Sequence, residues 1–124
     1  MLPKHRRVRR SEDFRSVLSL GSRSARRCLV VHVCATGTGP ARAGLIVGRP
    51  VGNAVVRNRV SRRLRHVLAN VLDDVAPGTA IVVRALPPAG DATSQELAAE
   101  LSWALRRALD KVVQVARTSE AVSP

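Results

Sequence analysis

Val51–Arg65, VGNAVVRNRVSRRLR, places five arginines within residues 57–65 and still keeps a helical apolar stripe. At roughly 100° per residue, Val56, Val60, Leu64, Val67, Leu68 and Val71 fall on one side of a helix expected from about Asn53 to Leu72. Arg59, Arg62, Arg63, Arg65 and His66 fall on the opposite arc, with Asn58 among them as a neutral donor and acceptor. Arg57 lies at the edge of the stripe and is expected to reach past the end of the packing surface. A solvated helix face usually mixes signs to give (i, i+4) pairs, yet no Asp or Glu occurs between Asp13 and Asp73. Like charges this close repel, so the cluster is most simply explained by an external anion that neutralises it.

The whole chain repeats that bias. Lys plus Arg number 21 against 9 Asp plus Glu, for a formal net charge of +12 in 124 residues and a sequence pI near 11.8. The expected partner is a polyanion, and nucleic acid is favoured over a membrane surface because the basic helix has no bulky aromatics on an apolar side already committed to a core. If each of the five arginines neutralises one phosphate, a slope of about −0.9 per contact gives a roughly 500-fold loss of affinity between about 50 and 200 mM salt.

The length suits a single domain, and a hydrophobic fraction of 45% with only 2% aromatics, Phe14 and Trp103, calls for an aliphatic core. No run approaches the roughly 18 apolar residues of a membrane span, and MLPKHRRVRR is not followed by an apolar signal region. A cytoplasmic location without a membrane partner is expected.

Residues 1–10 read as a flexible basic arm, 11–117 as one α/β domain and 118–124 as a disordered tail. Ser11 reads as an N-cap, with Glu12 and Asp13 in the first turn, Phe14, Val17 and Leu18 on the apolar side, and Gly21 as the stop. Cys28–Ala35 and Ala41–Val47 read as strands forming a hairpin across GTGP, and Ala80–Ala85 as a third strand after the basic helix. TSQE from Thr93 matches a capping box for a last helix with Leu97, Leu101, Leu105, Ala108, Leu109 and Val112 as its stripe. The order is α-β-β-α-β-α, a small α/β sandwich.

Catalytic and metal chemistry finds little support. Cys28 and Cys34 on one strand are roughly 20 Å apart, too far for a disulfide, and read as reduced thiols. His32 shares their face, but the spacing matches no zinc motif. Glu12/Asp13 and Asp73/Asp74 are sequence neighbours at helix ends, where capping and solvation explain them. No triad, Gly-rich phosphate loop or small-molecule substrate site is visible. Trp103 falls opposite the leucines of the last helix, within reach of Arg107.

VGNAVVRNRVSRRLR, preceded by GLIVGRP and by RRSEDFRSVL, resembles the protein subunit of bacterial ribonuclease P, with Arg57, Asn58 and Arg59 in the position of that family's RNR motif. The likeness runs from about Arg6 to Val112. It implies a fold like domain 2 of ribosomal protein S5, with a left-handed βαβ crossover around the basic helix against the usual right-handed preference. It also implies a role in removing the 5′ leader of precursor tRNA, with catalysis and Mg²⁺ belonging to an RNA subunit. Carried over by position, Asn53, Arg57, Asn58, Arg59, Arg62, Arg63 and Arg65 contact RNA, and Phe14, Leu18, Val31 and Arg49 line the cleft for the leader. Free amides and the helix dipole add to the charge near Asn53. Leu18 and Val31 stand where relatives often carry aromatics, Pro50 at a common lysine position and Ser61 at a frequent lysine or arginine, so the leader is expected to be held with less stacking.

Two other readings share the same basic helix. A ribosomal-protein-like structural RNA binder predicts co-sedimentation with ribosomal subunits. Duplex DNA binding predicts preference for DNA over structured RNA, and is disfavoured because the inner face of the helix is occupied by the core.

Overall fold

A computed structural model of the chain describes residues 4–8, 11–35 and 39–122. The basic stretch forms helix α2, Ala54–Val71, and begins where the sequence places its cap: the Asn53 side chain accepts a hydrogen bond from the Val56 amide at 3.0 Å. Gly52, at φ +156°, makes the turn into that cap, and a Cβ there would sit 2.8 Å from the Val56 side chain. Val60, Leu64 and Leu68 are fully buried, as the stripe requires. Helix α1 spans Ser11–Leu20 and helix α3 spans Ser94–Val122. The TSQE box closes as expected, with Thr93 Oγ1 accepting from the Glu96 amide at 3.1 Å and Glu96 Oε1 from the Thr93 amide at 3.4 Å. The α3 backbone continues to Val122, past Thr118, where the sequence shows no packing signal.

Four strands make the sheet: β1 Ser22–Ala25, β2 Leu29–Ala35, β3 Arg42–Ile46 and β4 Thr79–Ala85. Their spatial order is β1-β2-β4-β3. The expected hairpin between the second and third of these does not form. β4 lies between them, antiparallel to β2 and parallel to β3, because α2 returns the chain from β3 to β4 as a βαβ crossover. The hairpin is instead β1 with β2, and β1 has no sequence signature because Ser24 is its only buried residue.

Register sorts the side chains onto two faces. Val31, Val33, Ile81, Val83 and Ala43 join Leu64, Leu68, Leu97 and Leu101 in the main core beneath α2 and α3. The other face carries Ala80 and Val82, and α1 packs there through Val17, Phe14 and Leu18. Part of the basic arm belongs to this layer. Val8 is buried and its amide donates to the Ala43 carbonyl at 2.9 Å, so residues 4–8 dock on the exposed edge of β3, where Arg6 also pairs with Asp73. An unpaired strand edge offers a row of backbone partners, which explains why a segment without periodicity is ordered.

Candidate nucleic-acid interface

Six of the seven residues assigned to RNA contact lie on α2, and the seventh, Asn53, caps it. They do not act alike. Asn58, Arg62 and Arg65 are exposed on the arc opposite the core. Arg59 and Arg63 lie on the flank toward α3, where Arg59 Nη2 donates to the Gly90 carbonyl at 2.9 Å and Arg63 Nη1 to the Ala92 carbonyl at 2.8 Å. These two guanidinium groups brace the 3-10 turn Pro87–Asp91 that leads into α3. Each keeps its charge and further N–H donors, since a guanidinium carries five. Arg57 is half-buried at the edge of the stripe, and among the described residues its buried Nε has no hydrogen-bond partner.

Among the described residues no acid forms an ion pair on this face, and the acid near it is Asp91, which lines a cavity with Arg59 and Arg63. Among the described residues the ion pairs are Arg6–Asp73 and Arg27–Glu96, and neither involves an α2 arginine. Val55, overlooked in the sequence, is 73% exposed beside Asn58 and Arg62, a large apolar side chain set within the cationic arc. Its signal was available, because its helical phase excludes it from the core stripe.

The cleft residues separate as well. Phe14 and Leu18 lie over the sheet face that α1 covers, and Arg49 is exposed in the 3-10 turn Arg49–Val51 ahead of α2. Val31 does not line this cleft. It is fully buried in the core under α2 and α3, because it pairs with Val83, whose side chains point to the opposite face from His32 and Val82. The residues that do face the α1 side are Arg23, His32 and Val82 in one row and Ala25, Val30, Arg84 and Ile46 in the next. Exposed Arg23 and Arg84 thus lie on the α1 side of the sheet, two charges that sequence reasoning missed. Arg23 sits on the strand without a signature, and Arg84 lies in the third strand, Ala80–Ala85, whose reading assigned it no role.

Phe14 of α1 and Arg65 of α2 flank the β3 edge. With Arg7, Val8 and Gly44 they line a cavity of about 210 Å³, so the cleft opens directly toward the α2 face. Gly44 makes this possible: a Cβ there would lie 2.7 Å from the Phe14 ring. Gly44→Val is expected to push the ring off the sheet and cost about 1–3 kcal/mol, read as a lower urea midpoint. Much of that loss should return in Gly44→Val/Phe14→Ala, where the clash has no ring to meet.

His32 lies on this floor, 9% exposed, with its Nδ1 lacking a hydrogen-bond partner among the described residues. Desolvation first, and then the charges of Arg23 and Arg84, lower its pKa below the ordinary 6.5. The unfolded chain then takes up the proton more readily, so His32 contributes stability that is present above pH 6.5 and is lost as pH falls toward its folded pKa. His32→Leu is expected to flatten the dependence of melting temperature on pH below 6.5; an unchanged slope would contradict this. Burial also pushes the Cys28 thiol up to about 11, helped by the Glu100 carboxylate, which makes it an inert core group.

Among the described residues no helix is long and apolar enough to cross a membrane. Among the described residues no three His, Cys, Asp or Glu side chains are grouped to hold a metal ion.

Comparison with known proteins gives a consistent result. The model of the Ribonuclease P family matches residues 2–109. The ribonuclease P protein component of Mycobacterium sp. (strain KMS) is 51% identical over 114 residues, covering 90% of this chain and 97% of the relative. That of Streptomyces bikiniensis is 47% identical over 118 residues, covering 88% and 96%. The solved RNase P protein of Staphylococcus aureus superposes with a TM-score of 0.75 at 30% identity, covering 85% of this chain and 96% of that one. The Thermotoga maritima RNase P protein, 23% identical with a TM-score of 0.67, covers 77% and 90% and shares the fold. Fold and charge define a small, strongly basic protein of mixed α/β architecture. The chain belongs to the Ribonuclease P family of protein components.

Proposed function

We propose that this chain docks on ribonuclease P RNA through α2 and holds the 5′ leader of precursor tRNA along the α1 face, supporting endonucleolytic removal of the leader while the RNA subunit carries catalysis. The observation that carries the reading is the α2 surface itself: Asn58, Arg62 and Arg65 exposed together, without a carboxylate partner among the described residues. Arg57, Arg59 and Arg63 add charge at its base, and Asn53 caps a helix end whose first turn contains no acid. On the other side of the β3 edge, Phe14 and Leu18 offer the leader apolar contact while Arg49, Arg23 and Arg84 meet its phosphates. With Phe14 the only aromatic on this face, the leader is held chiefly through its backbone, with little base preference.

The chain's contribution is electrostatic and positional. Two RNA molecules repel as they approach, and a protein of net charge +12 between them does what high salt otherwise does by screening. Mg²⁺ prefers clustered oxygen ligands, and we assign it to the RNA, a reading supported by the lack of any group of three His, Cys, Asp or Glu side chains among the described residues. Cleavage of precursor tRNA by a bacterial ribonuclease P RNA at low Mg²⁺ is the test. Addition of this chain is expected to stimulate it strongly, and to matter little at high Mg²⁺. Absence of stimulation, with co-sedimentation on ribosomal subunits, would instead support a structural RNA-binding role in the ribosome, and preference for duplex DNA in competition would support the third reading.

A further inference from the structure

Trp103 is 44% exposed, one of two exposed large hydrophobics among the described residues, and the interface above does not use it. It projects from α3 beside the turn between β1 and β2, with the Arg26 guanidinium 4.4 Å and that of Arg107 5.6 Å from its ring centroid. We infer that Trp103, Arg26 and Arg107 form a second RNA contact, a stacking site for an unpaired base of the leader upstream of the segment held in the cleft. This rests on the leader assignment proposed above.

Several observations converge on it. α3 is fastened along β1 and its turn: Arg27 pairs with Glu96 at 3.3 Å, the Cys28 amide donates to Glu100 at 3.0 Å, and Lys111 Nζ donates to the Arg23 carbonyl at 2.6 Å. Glu96 is taken up by Arg27 and the Thr93 cap, Glu100 accepts from the Cys28 amide and keeps its charge, exposed Asp110 lies one turn from Arg107, and among the described residues neither Arg26 nor Arg107 joins an ion pair. The indole thus stands between two guanidinium groups that are not held in ion pairs among the described residues. It lies past the β1 edge of the cleft, on the α3 side of the sheet. Ala25 pairs with Val30 and Val30 with Arg84, so Arg84 lies two strand spacings, about 10 Å, from the residue that precedes Arg26. A single strand crossing the sheet over Arg84 and Val30 reaches the indole by rounding the β1 edge at Arg26, from the α1 side to the α3 side. Stacking of a base on an aromatic ring outweighs an exposed cation–π contact, so an arriving base displaces the looser Arg107, whose charge then turns to the adjacent phosphate.

Trp103 is the sole tryptophan and the chain has no tyrosine, so its emission reports this site alone. The experiment titrates the complex of this chain and ribonuclease P RNA with precursor tRNAs carrying a short leader, confined to the cleft, or a long one. The long leader is expected to quench Trp103 and the short one to leave it unchanged. Trp103→Ala should weaken binding of the long-leader substrate about tenfold, with Arg107→Ala in the same direction, Trp103→Phe retaining most of the affinity, and short-leader binding unchanged. Equal emission with both leaders, together with wild-type long-leader affinity in Trp103→Ala, would overturn the inference while short-leader binding still upheld the cleft. Quenching by ribonuclease P RNA alone would overturn the assignment to the leader. A lower melting temperature in Trp103→Ala without any change in RNA affinity would show instead that the indole only fastens the turn to α3.

Discussion

Arg62→Gln/Arg65→Gln is expected to leave the melting temperature of the free protein unchanged and to weaken its binding to ribonuclease P RNA about 100-fold. Both side chains are exposed, and among the described residues neither is in an ion pair, so the fold does not depend on them. Contacts to charged groups are worth about 1.5–3 kcal/mol each, and taking the lower end for exposed positions gives about 3 kcal/mol for the pair. The salt dependence should change with it. Five phosphate contacts give the roughly 500-fold loss between about 50 and 200 mM salt, and removal of two lowers the slope by about 1.8, leaving a roughly 40-fold loss. Arg59 and Arg63 make poorer targets, because their loss also strips hydrogen bonds from the Gly90 and Ala92 carbonyls and mixes folding with binding.

The opposite face of the same helix should behave in the opposite way. Leu64 is fully buried between the sheet and α3, and Leu64→Ala is expected to cost about 2–5 kcal/mol through lost transfer energy and the cavity left behind. Against a total of about 5–15 kcal/mol this is a large fraction, and calorimetry should show a fall in melting temperature on the order of 10 °C. Below that temperature the folded protein should still bind RNA with near wild-type affinity, since no guanidinium has moved from the outer arc. A single helix then yields one variant that folds without binding and one that binds without full stability.

That division was legible in the sequence because α2 obeys local rules: a 3.6-residue apolar period, an Asn cap, and no acid to neutralise the outer arc. The capping box of α3 was legible for the same reason. Pairing between strands was not, because it depends on partners distant in the chain. β2 and β3 are sequence neighbours joined by a turn-rich segment, yet β4 inserts between them once α2 carries the chain back in parallel. β1 escaped notice because a four-residue edge strand of serines, arginine and alanine has no apolar alternation to display. The Val31 error has a related origin. A strand apolar on both faces carries no phase, so only the register with Val83 reveals that Val31 belongs to the core and Val30 to the cleft side. The docking of Val8 on β3 likewise depends on an edge that exists only after the sheet has formed.

The most direct test compares wild-type protein with Arg62→Gln/Arg65→Gln in cleavage of precursor tRNA by ribonuclease P RNA at low Mg²⁺ and near-physiological salt, at protein concentrations near the wild-type dissociation constant. Stimulation by the wild type and its near-complete loss in the variant, at equal melting temperatures, is the predicted result. Equal stimulation by both proteins would contradict the assignment of the outer face of α2 to the RNA.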